Sequence, residues 1–529
     1  MYLKIYFSYV KKYFMTPSYM IKRTNNIIKY RSRNLTELLN DALLKNPEKK
    51  ILGEKVNGTW NWITCHQLVA KTNACYDTIS HNMLNIGDRI VYKGKNSIDW
   101  VAWNIATNSW GCTWVPLYRN QTQQYSQYIV DNCKPSLFIT DDIENTNVKN
   151  TRIISNEVIV EKHNYYEPLN IEPLINIANI IYTSGTTGNP RGVILTHENI
   201  ISNIESINTR FQNFENNNFT SLNILPWAHI YGLTAELYYN LLNNNKVAIS
   251  TSPDNFIREL REIQPGILYV VPRVLQMIKN KIQIFDNPLT RLAIPKILDF
   301  ILGNITAIFV GGAALDKDTK DFFERYGIVI CEGYGCTETS PMISVNHTTS
   351  PRDMESIGKI MDNLHVIIEN NEILVSGPSI MKGYWNDMET TNKVLVERNG
   401  KIYYKTGDSG IIKNDFLYYK GRINDNYKLN NGKFVELKTI EVEIEKYFNE
   451  KFAIYGENRE HNVVITESPH KISGSILKSI NQHIDNHIKI KGNIVVPEGT
   501  FEMFYTPKLS LKRNPFFKHI SNLLDNHYK

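Results

Sequence analysis

The sequence predicts an α/β protein of at least two domains, on three observations. Its 529 residues exceed what a single hydrophobic core holds. Segments with helical apolar spacing alternate with short strand-like runs that end in Gly, Pro or Ser, the rhythm of layered α/β folds. Near Gly421 that rhythm gives way to a polar stretch rich in Asn and Lys, followed by a smaller helix-and-strand pattern. The expected division is a basic leader over 1–34, a large N-terminal domain of layered α/β subdomains over 35–421, and a small α+β C-terminal domain over 422–529. No internal repeat is visible.

The leader holds the excess charge. Lys4, Lys11, Lys12, Lys22, Arg23, Lys29, Arg31 and Arg33 all precede the first acidic residue, Glu37, and the formal charge of +6 depends on them. The remainder is slightly acidic, so no nucleic-acid partner is expected, because that would need a basic face on the folded body. The cations are interleaved with Tyr2, Leu3, Ile5, Tyr6, Phe7, Tyr9, Val10, Tyr13 and Phe14. This suits a helix lying on a membrane surface, hence a peripheral membrane contact, or an organelle-targeting segment, mitochondrial included; a locally packed arm fits equally well. Lysines and tyrosines interrupt the apolar run that a secretory signal requires.

In the next domain, helices are expected around 35–44 and 66–79, and strands at 89–92, 137–140, 177–182, 247–251, 267–271, 307–310 and 328–331. The most apolar window, 294–315, is broken by Lys296, Asp299, Asn304, Gly311 and Gly312, so it reads as a helix and a buried strand and not as a membrane span. Cys65, Cys75, Cys112, Cys133, Cys331 and Cys336 show neither Cys-x-x-Cys nor metal-site spacing. They fit a reducing intracellular compartment, cytoplasmic or membrane-associated, with Cys336 a small packed residue.

The sharpest signal follows the strand expected at 177–182: Tyr182-Thr183-Ser184-Gly185-Thr186-Thr187-Gly188-Asn189-Pro190-Arg191-Gly192. Glycines let backbone N–H groups turn towards an anion, and Ser and Thr hydroxyls add donors. Arg191 supplies a permanent positive charge. The run is neither a Walker A loop nor Gly-x-Gly-x-x-Gly. Further on stand Leu225-Pro226-Trp227-Ala228-His229-Ile230-Tyr231-Gly232, Phe309-Val310-Gly311-Gly312-Ala313-Ala314-Leu315, Glu332-Gly333-Tyr334-Gly335-Cys336-Thr337-Glu338-Thr339, Tyr404-Lys405-Thr406-Gly407-Asp408 and Gly421-Arg422.

These motifs, in this order, resemble the adenylate-forming, or AMP-binding, superfamily of acyl-CoA synthetases, luciferases and peptide-synthetase adenylation domains. The likeness is fullest to long-chain fatty acyl-CoA synthetases, whose scaffold segments Gly87-Asp88-Arg89-Ile90, Val115-Pro116-Leu117-Tyr118, Val271-Pro272-Arg273-Val274 and Met381-Lys382-Gly383-Tyr384-Trp385 resemble. Arg191 replaces the family's lysine, a planar fork in place of a point charge.

The resemblance implies roles. Thr183, Ser184, Gly185, Thr186, Thr187, Gly188 and Arg191 would hold the phosphates of ATP, and Gly312, Ala313, Ala314 and Tyr334 the adenine. Thr337 would touch the α-phosphate, Glu338 would bind Mg²⁺, and Asp408 and Arg422 would hold the ribose. His229 would lie beside the substrate carboxylate. The family's catalytic lysine falls in Thr506-Pro507-Lys508-Leu509-Ser510-Leu511-Lys512-Arg513. The pattern registers on Lys512; Lys508 competes, because Ser510 replaces a family lysine. The C-terminal domain would be a mobile lid hinged near Asn424, where relatives carry Asp or Lys.

The reaction so implied is attack of a carboxylic acid, medium- or long-chain fatty acid foremost, on ATP to give acyl-AMP and pyrophosphate, then transfer of the acyl group to coenzyme A. The alternatives are transfer to another acceptor such as a carrier protein, oxidation as in luciferases, and a degenerate nucleotide- or acyl-binding protein.

Overall fold

The computed structural model describes residues 34–157, 177–183, 190–212, 219–283, 293–448, 450–505 and 511–528. Residues 1–33 of the basic leader lie outside them. The fold is α/β, with two large sheets in the N-terminal part and a small three-stranded sheet near the C-terminus.

The first large sheet runs Gly383–Tyr384, Arg191–Thr196, Ile177–Thr183, Thr113–Tyr118, Arg89–Gly94, Leu137–Thr140 and Arg152–Ser155. Its last five strands are parallel from Ile177–Thr183 outward, and Leu137–Thr140 is buried along its whole length, as expected where helices cover both faces. The Arg191–Thr196 strand returns antiparallel to Ile177–Thr183, with Thr183 opposite Arg191.

The second sheet has a parallel block, Lys50–Val56, Lys246–Ile249, Thr220–Asn223, Ile267–Val270, Ala307–Val310 and Val329–Gly335. It continues antiparallel through Met342–Val345 to the long strand Lys401–Lys413 and its partner Phe416–Arg422. The 294–315 window resolves as read, into helix Ile294–Leu302 and buried strand Ala307–Val310.

Helix starts follow their caps. Thr64 and Gln67 form a reciprocal capping box ahead of Cys65–His81, and Asn34 caps Leu35–Lys45. Leu35, Leu38, Leu39 and Leu43 of the latter join the main core, which runs between the sheets through Trp100, Trp103, Trp114 and Trp227. All six cysteines are reduced. Among the described residues no helix is long and apolar enough to cross a membrane.

The C-terminal region builds its own cores around the sheet Phe452–Tyr455, Asn462–Glu467 and Ile490–Val496. Period-two alternation divides its side chains. Ile454 and Val464 pack with Leu437, Ile440, Ile444 and Ile480, whereas Ala453, Val463, Ile465 and Ile494 pack with Phe501, Phe516, Ile520 and Leu524. The helices Leu437–Glu445 and Gly474–Gln482 thus cover one face, and Arg513–His519 and Ser521–His527 the other.

Candidate active site

Chain ends of the parallel block converge on one cleft, where open α/β sheets bind ligands. Beyond Asn223 the chain forms the turn that carries His229; beyond Val310 it forms Gly311–Ala314; and Val329–Gly335 runs directly into Cys336, Thr337 and Glu338. A cavity of about 1330 Å³ opens here, with Thr183, Arg191, His229, Gly312, Tyr334, Thr337, Glu338, Arg422 and Lys512 among its lining residues.

The His229 turn is held from below. Asn96 Nδ2 donates to Asn223 Oδ1 at 2.7 Å and Asn96 Oδ1 accepts from the Trp227 amide at 3.0 Å. Asn223 Nδ2 in turn donates to Glu236 Oε2 at 2.5 Å. Glu236 is fully buried in the π-helix Tyr231–Tyr238, and burial pushes its carboxyl up to about 8 against the Asn223 hydrogen bond. It is therefore a neutral acid at neutral pH. His229 Nδ1 accepts the Tyr231 amide at 3.2 Å, which leaves the ring proton on Nε2. The Tyr231 hydroxyl donates to the Phe309 carbonyl at 2.9 Å, tying this turn to the strand that leads into Gly311.

Gly312, with φ of +84°, turns the chain so that Gly312, Ala313 and Ala314 lie exposed on the cavity wall. Glu332 fixes the far side of that turn, accepting the Leu315 amide at 3.2 Å while pairing with Lys320 at 2.5 Å, both side chains buried. Tyr334, opposite, donates its hydroxyl to Asp408 Oδ2 at 2.5 Å. Asp408 and Arg422 are register partners on adjacent strands, and Arg422 Nε meets Asp408 Oδ1 at 2.9 Å. Burial pushes the Asp408 carboxyl up, against the pull of Arg422 and of the Tyr334 hydroxyl. Asp408 is itself buried, and reaches the cavity through Tyr334 and Arg422, which line it.

Thr337 and Glu338 form a short 3₁₀ turn. Thr337 Oγ1 is buried with no hydrogen-bond partner among the described residues. Glu338, only 9% exposed, accepts the Tyr384 hydroxyl at Oε1 over 2.8 Å. Among the described residues no cluster of three His, Cys, Asp or Glu could hold a metal alone. Glu338 on the wall of a cavity large enough for a nucleotide fits Mg²⁺, which takes one or two carboxylates and completes its shell with phosphate oxygens and water.

The C-terminal region contributes Lys512, whose amide donates to the Phe504 carbonyl at 2.8 Å at the start of helix Arg513–His519. Its side chain is exposed and lines the same cavity. The neighbouring Arg513 pairs with Glu441 of helix Leu437–Glu445, which fixes the Lys512 backbone relative to that helix.

Residues 39–385 match the AMP-binding enzyme family. The chain belongs to that family. Among known AMP-binding enzymes it is 30% identical to a long-chain-fatty-acid–CoA ligase of Bacillus subtilis over 47% of this chain and 44% of that one, so the chain matches less than half the length of that relative. A D-alanine–D-alanyl carrier protein ligase of Lactococcus lactis is 26% identical over 81% of this chain and 86% of its own. In fold, ATP-bound MatB from Rhodopseudomonas palustris superposes with a TM-score of 0.76 at 20% identity, over 94% of this chain and 100% of that structure.

Of the residues singled out from the sequence, Thr183, Arg191, His229, Gly312, Ala313, Ala314, Tyr334, Thr337, Glu338, Arg422 and Lys512 line one cavity of this AMP-binding enzyme, and Asp408 is bonded to two of them. Ser184, Gly185, Thr186, Thr187, Gly188 and the competing Lys508 lie outside the described residues. The backbone at Asn424 belongs to a 3₁₀ turn, Ile423–Asp425, immediately after the Arg422 strand. Cys336 packs against the main core, as read, and also lines the cavity wall beside Thr337. One reading changes. Tyr384, read as scaffold, touches the carboxylate of Glu338; its place beside Gly383 in a motif of apparently structural character hid it.

Proposed function

We propose that this AMP-binding enzyme activates a carboxylic acid with ATP and passes the acyl group to a thiol, coenzyme A foremost. The observation that carries the proposal is the shared cavity: Lys512 from the C-terminal region faces the same space as Arg191, Thr337, Glu338 and His229. In this reading Gly312, Ala313, Ala314 and Tyr334 hold adenine, and Asp408 with Arg422 holds the ribose. Thr183 and Arg191, with the Ser184–Gly188 loop, bind the phosphates.

The acid's carboxylate oxygen attacks the α-phosphorus, and the bond to pyrophosphate breaks. Lys512 and Thr337 offset negative charge that grows on the α-phosphate, and Arg191 that on the departing pyrophosphate. Glu338 would hold Mg²⁺, which when bound would neutralise charge between the anionic nucleophile and the polyphosphate. His229, with its proton on Nε2, donates a hydrogen bond to the carboxylate as it enters. A thiol then attacks the acyl carbon and expels AMP, after the C-terminal region has turned to withdraw Lys512.

The acid is proposed to be apolar, a medium- or long-chain fatty acid foremost. The part of the cavity wall formed by Ile207, Phe211, Tyr239, Tyr269, Phe309 and Val345 carries no charge, so an amino acid's ammonium group would meet no counter-ion there. The acceptor has a second reading, a carrier-protein thiol, favoured by the extent of the match to the D-alanyl carrier protein ligase. Acid-dependent exchange of labelled pyrophosphate into ATP, run over fatty, aromatic and amino acids, tests both stages when coenzyme A or a carrier protein is then added. Exchange with fatty acids and acyl-CoA formation support the proposal; exchange with amino acids alone would overturn the choice of acid.

A further inference from the structure

The phosphate-loop cation opens a strand and the proposed metal carboxylate stands on a separate 3₁₀ turn, yet one side chain touches both. Tyr384 donates its hydroxyl to Glu338 Oε1 at 2.8 Å, and the Arg191 guanidinium carbon lies 5.8 Å from the centre of the Tyr384 ring. Arg191 Nε is also 3.8 Å from Asp387 Oδ2, three residues further along the chain from Tyr384. Tyr384 is buried, so its hydroxyl is held to this partner by the surrounding packing.

The backbone around Tyr384 is stapled to the same two places. Tyr384 pairs with Val193, and the Trp385 amide donates to the Gly192 carbonyl at 2.7 Å, both in the strand that begins at Arg191. The Met381 amide donates to the Glu338 carbonyl at 2.8 Å. Gly383, at φ +147°, permits this course: a Cβ there would come within 2.8 Å of Thr391 Cγ2, whose Oγ1 accepts the Tyr384 amide. Arginine suits the arrangement better than the family's lysine, since a planar guanidinium can lie over an aromatic face and still present N–H groups at its edge.

We propose that Tyr384 is a positioning residue that orients Glu338 for Mg²⁺ through its hydroxyl and Arg191 for the phosphates through its ring, so that metal and cation are set as one unit. This rests on the reading of the cavity as an ATP site. The two halves separate chemically. Removing the hydroxyl loosens Glu338 alone, whereas removing the ring loosens Arg191 as well.

The test is equilibrium binding of ATP to the full chain, by calorimetry, in excess Mg²⁺ and again in EDTA, with no turnover involved. Tyr384→Phe is expected to weaken binding about tenfold in Mg²⁺, the scale of losing an outer-shell partner of a metal ligand, and to leave the EDTA value unchanged. Tyr384→Leu is expected to weaken both. A Tyr384→Phe protein that keeps the full Mg²⁺-dependent gain, or that weakens equally in both buffers as a general packing defect would, overturns the proposal. Wild-type protein that binds ATP with no gain from Mg²⁺ overturns it too. Failure of the wild type to bind ATP at all would instead remove the functional reading on which it rests.

Discussion

Lys512 and Glu236 carry opposite kinds of charge problem. Lys512 brings a cation to a cavity that Arg191 also lines, where the proposed function puts the phosphates of ATP. Lys512→Ala is therefore expected to reduce pyrophosphate exchange by roughly 10²–10³-fold, the scale of removing one preorganised charge-stabilising donor, with an unchanged melting curve. Glu236 is held neutral, its carboxyl raised from an ordinary 4.5 to about 8 by burial. The folded state then binds a proton that the unfolded chain has lost, so stability falls as pH rises from about 4.5 towards 8. Urea midpoints at pH 5.5 and 8 should show this loss in the wild type. Glu236→Gln, which keeps an acceptor for Asn223 and cannot ionise, should flatten it.

At the level of elements, the turn from Gly311 to Leu315 depends on a buried ion pair. Glu332 accepts the Leu315 amide and meets Lys320, which also donates to the Met354 carbonyl at 2.8 Å. Lys320→Met would strand the Glu332 charge in the interior and should cost about 3–5 kcal/mol, read by urea unfolding. This element was half legible in advance. The run of small residues at 311–314 announced a close approach, because nothing but a ligand or backbone profits from so bare a surface. The ion pair that shapes it was not legible, since Glu332 and Lys320 are ordinary charges until the strand and the helix Lys317–Arg325 come together. The same division holds elsewhere. Period-two and helical spacing announced strands 137–140 and 307–310 and helix 35–44 closely, because a side chain's burial follows its phase. Tyr384 was missed because its partner is Glu338, 46 residues away in the chain, and no local pattern encodes that pairing.

Over the whole molecule, one cavity is shared by the two large sheets and the C-terminal region, so a ligand that fills it links their stabilities. A stable acyl-adenylate mimic at 100 times its dissociation constant should add about 2.7 kcal/mol to unfolding of the native chain. The more direct measurement is a crystal structure with that mimic bound. Its adenine is expected against Gly312–Ala314 and Tyr334, its ribose on Asp408, its phosphate analogue between Thr337 and Lys512, and its acyl chain towards Phe211 and Phe309. A mimic bound with its adenine away from Tyr334 and its ribose away from Asp408 would contradict it.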